Sequence, residues 1–104
     1  MKKVNSDAVY MNSSLSALKI KYPIIGDIRG RGLLWGIELV KDKFTKEKAI
    51  EEAEKIMYLC LKNGLSFKVS AGNVLQLSPA LTITRKELDT ALNIIDDALT
   101  KIQL

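Results

Sequence analysis

The sequence predicts an α+β fold: a small antiparallel sheet of about three strands with three helices packed on one face, in the order α-β-α-β-β-α. Three observations carry this. Apolar residues recur at helical spacing in three segments, over residues 4–22, 46–63 and 84–102. Two short runs, 65–70 and 74–78, alternate instead with a period of two. Glycine, proline and asparagine fall between these segments, where the chain must turn. With 104 residues, one small domain is expected over 1–104.

The first helix rests on Val4, Ala8, Met11, Leu15, Leu18 and Tyr22, which share one face. It ends at Tyr22, because the residue before Pro23 is pushed out of the α region. Residues 24–32 read as a glycine-punctuated connector, and residues 33–40 as an apolar strand with Leu33, Trp35, Ile37 and Leu39 on one side. Gly36 inside that strand signals a close approach or a bulge.

A second helix is expected over 46–63, with Thr45 as its cap and Glu47 favoured by the helix dipole. Ala49, Ala53, Ile56, Met57 and Cys60 make its apolar stripe, and Asn63-Gly64 stops it. The alternating runs then form a hairpin about Ala71-Gly72-Asn73. The last helix opens on a capping box, Thr84 with Glu87, and a staple of Ile83 with Leu88. Its core stripe runs through Leu88, Ala91, Leu92, Ile95, Ala98, Leu99 and Ile102.

Composition excludes several chemistries. The absence of histidine removes Ser-His, Cys-His and His-metal mechanisms, and a single cysteine, Cys60, allows no internal disulfide. Cys60 lies on a core stripe with no histidine to activate it, so it reads as a core residue. The net charge of +4 is spread evenly, without the concentrated basic stripe of a nucleic-acid binder, and no nucleic acid is expected as partner. No apolar run is long enough to span a bilayer, so no membrane partner is expected either. Met1-Lys2-Lys3 is followed by Asn5, Ser6 and Asp7 rather than an apolar run, and a cytoplasmic setting is expected.

Candidate sites each have a plain alternative. Gly30-Arg31-Gly32 could cradle a phosphate, but Trp35 stands where the dinucleotide fingerprint needs its third glycine, so a tight turn is the reading. Asp27, Arg29 and Arg31 are expected to pair around that turn. Glu38 has no second carboxylate at a useful spacing, and Asp96 and Asp97, adjacent on a helix, point apart. No catalytic, cofactor-binding or metal-binding residue is expected from these patterns.

Two longer segments carry a resemblance. Tyr22-Pro23-Ile24-Ile25-Gly26-Asp27-Ile28-Arg29-Gly30-Arg31-Gly32-Leu33-Leu34-Trp35-Gly36-Ile37-Glu38-Leu39 resembles a signature near the C-terminus of class III aminotransferases. Asn73-Val74-Leu75-Gln76-Leu77-Ser78-Pro79-Ala80-Leu81-Thr82-Ile83-Thr84 resembles their final hairpin. These are pyridoxal-phosphate (PLP) enzymes, among them 4-aminobutyrate, ornithine and acetylornithine aminotransferases. The resemblance implies the C-terminal small domain of a fold-type I enzyme that moves an amino group from an amine or amino acid to a keto acid. It places the cofactor's lysine, its aspartate and its phosphate loop in a large domain upstream. It also implies a homodimer whose small domain helps cover the active site.

On that footing the chain alone is expected to bind no PLP and to be inactive. Its partners would be the large domain or a second copy, held through an exposed apolar patch. Gln76 stands where many family members carry an arginine that commonly pairs with a substrate carboxylate or with a glutamate of the large domain, which makes it the substrate-proximal candidate. Glutamine cannot form arginine's charged fork. Ala80 stands where a second proline often follows Pro79. The alternative is an independent binding module with an aminotransferase-derived fold, using the turn at Arg29 and Arg31.

Overall fold

The computed structural model describes residues 2–31, 34–78 and 83–102, with side chains described for 6–30, 34–78 and 83–102. The expectations for Val4, the Arg31 side chain, Gly32, Leu33, Pro79, Ala80, Leu81 and Thr82 lie outside the described structure. Seven elements follow in order: α1 (Lys2–Lys21), β1 (Ile25–Arg31), β2 (Leu34–Leu39), α2 (Ile50–Lys62), β3 (Lys68–Ser70), β4 (Val74–Leu77) and α3 (Arg85–Ile102). The four strands form one antiparallel sheet in the order β1-β2-β4-β3. The architecture is α+β as expected, with one strand more.

The extra strand is β1, which the sequence presents as a connector. Its glycines serve packing rather than turning. A Cβ on Gly30 would lie 2.0 Å from Cδ2 of Trp35, and one on Gly26 would lie 2.7 Å from a Val40 methyl. Each glycine therefore lets a side chain of the neighbouring segment lie flat on the β1 backbone. A bulge between Ile25 and Asp27 further masks the alternation.

The start of α2 also differs. Residues 41–48 form a closed loop instead of a first helical turn. Lys41 N donates to Glu47 O at 2.7 Å, Val40 and Lys48 form a bridge, and Lys46 takes a left-handed φ of 60°. Thr45 accepts from Glu47 N within this loop and is not the helix cap, while Glu47 pairs with Lys41 at 3.9 Å. Ala49 occupies the cap position without a side-chain bond, and its N–H donates to Leu39 O at 3.1 Å. Glu51 and Glu52 supply the acids of the first turn.

Strand β3 is shorter than expected because Leu65 N is spent on Cys60 O at 2.8 Å, finishing the α2 cap through Gly64 at φ 93°. The α3 capping box is present: Thr84 N donates to Glu87 Oε1 at 3.0 Å, and Glu87 N to Thr84 Oγ1 at 3.1 Å. These bonds from Thr84 hold the Glu87 carboxyl below its ordinary value.

Burial is one-sided. Trp35, Ile37 and Leu39 of β2, with Leu75 and Leu77 of β4, pack beneath Met11, Leu15, Ile56, Cys60, Leu88 and Leu99 of the helices. Burial pushes the Cys60 thiol up to about 11, as befits a core side chain. Helix α1 lies on β1, α2 crosses β2, β3 and β4, and α3 packs on both helices. The α1–α3 seam is closed by polar clamps. Tyr10 donates to Asp89, and the Arg85 guanidinium lies 4.0 Å above the Tyr10 ring while pairing with buried Asp7 at 3.2 Å. At the other end the Tyr22 hydroxyl meets Asp96 and Thr100, and Lys21 Nζ lies 3.1 Å from Asp96. Tyr22 first, then Lys21, holds the Asp96 carboxyl below its usual range. Among the described residues, no helix is long and apolar enough to cross a membrane.

Two outcomes follow from this packing. Asp96 and Glu87 both titrate lower when folded than when unfolded. Each therefore contributes stability that is full above the usual carboxylate range and lost as pH falls through its lowered folded value. Melting temperature measured against pH should fall less steeply on the acid side in Asp96→Asn than in the parent. Gly30→Ala should lower stability by about 1–3 kcal/mol, because the Trp35 ring must leave its place, as measured by denaturant unfolding.

Candidate functional site

The helices close one face of the sheet and leave the other bare. Along β4, Leu75 and Leu77 point into the core, so Val74, Gln76 and Ser78 take the opposite side, as the alternation requires. The pairing registers extend this across the molecule. Arg29 lies opposite Gly36, Gly36 opposite Gln76, and Gln76 opposite Lys68. These residues form a single row over four strands on the bare face. With strands ~4.8 Å apart, the Cα atoms of Arg29 and Gln76 stand roughly 10 Å apart across Gly36.

Arg29, at the β1 end of the row, is held between two carboxylates. Arg29 is paired through Nη2 to Glu38 Oε2 at 3.3 Å and through Nε to Asp27 Oδ2 at 3.6 Å. The expected local pairing of Asp27 with Arg29 is therefore present, and Glu38 joins it. Asp27 also accepts from Ile28 N at 2.9 Å, covering one amide of the β1 edge. Gln76 is exposed, and its amide makes no hydrogen bond with a described residue. A hollow of about 480 Å³ lies over this region, lined by Arg29, Leu34, Gly36, Ser70, Val74 and Gln76.

Other candidates are disposed of by their surroundings. Gly30 is part of β1 and covered by the Trp35 ring, so it cradles no phosphate. Asp96 is engaged in the α1–α3 seam, and Asp97 is exposed beside it. A second cavity of about 350 Å³ lies between the β4 end and α3, among Met11, Phe67, Leu77, Leu88 and Ile95. Its lining is mainly apolar, with Ser66, Lys68, Gln76 and Ser78 as the polar members. Among the described residues no group of three acidic, cysteine or histidine side chains is placed to hold a metal ion.

The fit of a PLP site can be tested on the lysines. Those whose side chains are described are exposed or, at Lys19, half-exposed, and none lies in a desolvated pocket. A lysine that holds such a cofactor needs its ammonium pKa depressed by burial or by a neighbouring cation. None of the described lysine side chains meets that condition. Alternation revealed the face of Gln76, but the four-strand row depends on registers that no single strand encodes.

Comparison with known proteins places this geometry. The class III aminotransferase family profile matches residues 1–99. The chain is 53% identical over 102 residues to the (R)-1-hydroxy-2-aminoethylphosphonate ammonia-lyase of Vibrio splendidus, covering 98% of this chain and 21% of that protein. It is 40% identical over 97 residues to a taurine–pyruvate aminotransferase of Bilophila wadsworthia, covering 86% of this chain and 21% of that protein. An omega-aminotransferase structure from Paracoccus denitrificans superposes with a TM-score of 0.87 at 28% identity, over 97% of this chain and 23% of that one. The chain belongs to the class III aminotransferase family. It spans about a fifth to a quarter of the length of the relatives it matches.

Mixing the 104-residue chain with PLP and reducing with borohydride should give only scattered, substoichiometric lysine adducts. Peptide mass mapping checks this. One stoichiometric adduct at a single lysine would show a formed site.

Proposed function

We propose that this chain is the C-terminal part of a longer PLP enzyme of its family, and that its bare sheet face forms one wall of the substrate site. The reaction would be amino-group transfer from an amine or amino acid to a keto acid. The observation that carries the reading is the family match over residues 1–99, together with coverage of only about a fifth of the relatives. PLP would be held by the remainder of the enzyme and would supply the electron sink for carbanion chemistry. The chain's own share is to bind and orient. Gln76 offers two amide donors and a carbonyl acceptor at the centre of an exposed row, and brings no charge.

The partner of this chain would be the large domain of the same enzyme, in a homodimer, with self-association as the outcome when that domain is missing. Leu34, 60% exposed at the rim of the bare face, contributes to that tendency. A cytoplasmic setting fits the lone buried cysteine.

One observation favours a second reading of the reaction. The relative at 53% identity is named as an ammonia-lyase, which releases the amino group instead of passing it to a keto acid. The two are separated by supplying the full-length enzyme with an amino donor, with and without a keto acid. Ammonia release independent of keto acid supports the lyase, and amino-acid formation dependent on it supports transfer.

Gln76→Arg in the full-length enzyme should shift preference toward donors carrying a carboxylate near this strand. The expected change in kcat/KM is about 1–3 kcal/mol if a charged hydrogen bond forms. An identical donor ranking in the two enzymes would remove Gln76 from the substrate site.

A further inference from the structure

Gly36 sits at the middle of the row, and nothing in the chain's own packing requires a glycine there. The other described glycines have an internal reason. Gly26 and Gly30 lie against Val40 and Trp35, while Gly64 and Gly72 take left-handed backbone. Gly36 has ordinary strand backbone, and a Cβ built on it would meet one Val74 methyl at 3.3 Å and the Arg29 carbonyl at 3.9 Å. Val74 is half-exposed on the same bare face, so a few tenths of an ångström of movement would accommodate an alanine. A strand interior disfavours glycine, which costs entropy and packs nothing. The missing side chain instead opens the floor of the 480 Å³ hollow between Arg29 and Gln76.

We infer that Gly36 is a specificity-determining residue, keeping a slot on the bare face that receives the acceptor-bearing end of a small amino-donor substrate beside Gln76. This rests on the reading of that face as a substrate wall. The occupant is a small molecule for two reasons. The hollow has the volume of a small-molecule site. Its rim carries polar groups from Gln76, Arg29 and Ser70 over a mainly apolar floor of Leu34, Trp35 and Val74, which suits a small molecule with one polar end. Arg29 is already engaged by Asp27 and Glu38, so the slot offers its guest the uncharged Gln76 amide rather than a free guanidinium.

The test uses the full-length enzyme with its cofactor, as the parent and as Gly36→Ala, Gly36→Val and Gly30→Ala. Melting temperature, cofactor absorbance, and KM and kcat for amino donors of increasing bulk are measured. Gly36→Ala should keep the parent melting temperature, since Val74 need move only a few tenths of an ångström, and both Gly36 variants should keep the cofactor content. KM should rise on the order of tenfold or more in Gly36→Val, and the bulkiest donors should be lost first. Unchanged KM for every donor would overturn the slot while leaving the substrate-wall reading intact. A fall in melting temperature for Gly36→Ala as large as that for Gly30→Ala would also overturn it, because the fold would then need the glycine. A parent enzyme with no amino-donor turnover would instead overturn the earlier reading, and the slot with it.

Discussion

The one-sided burial of β2 is the constraint on which the rest depends. Trp35, Ile37 and Leu39 are buried under the helices, and the period of two sends Leu34, Gly36 and Glu38 to the other side. Because β2 is hydrogen-bonded to β1 and β4 on its two flanks, a slip of one residue would turn three apolar side chains out of the core. The same pairing fixes which residues of β1 and β4 share the bare face. Arg29 and Gln76 are brought to opposite sides of Gly36 by a register that the core enforces.

That register is pinned at one end by Asn73, a buried polar residue. Its side-chain N–H₂ donates to Leu39 O at 2.8 Å, and its main-chain carbonyl accepts from Leu39 N at 2.8 Å. Leu39 O also accepts from Ala49 N, so the end of β2, the β3–β4 turn and the start of α2 meet at one peptide. A buried amide satisfied in this way specifies geometry as well as contributing stability. At the other end the Trp35 ring on Gly30 locks β1 against β2. The bare face is thus a stiff platform, suited to holding side chains at fixed spacing.

Local signals were legible and tertiary ones were not. The α3 capping box could be read from Thr84 and Glu87 because its two bonds close within four residues. The direction of Gln76 could be read because alternation is a local property. β1 could not, since its glycines look like turn residues until Trp35 and Val40 are placed over them. The α2 start was read too early because Lys46 adopts a left-handed conformation that only Gly or Asn would advertise. The row through Arg29, Gly36, Gln76 and Lys68 needs three registers at once, and the Glu38 partner of Arg29 emerges only with them. Family membership was legible because two long motifs sit in the order and spacing that the comparisons match over residues 1–99.

The central claim is that the bare face looks onto the substrate. A crystal structure of the full-length enzyme with a bound amino-donor analogue tests it most directly. The account predicts an amide atom of Gln76 about 3 Å from a polar atom of the ligand, with the ligand passing over Gly36. A bare face sealed by polypeptide, with Gln76 bonded to another protein segment and the ligand elsewhere, would contradict it.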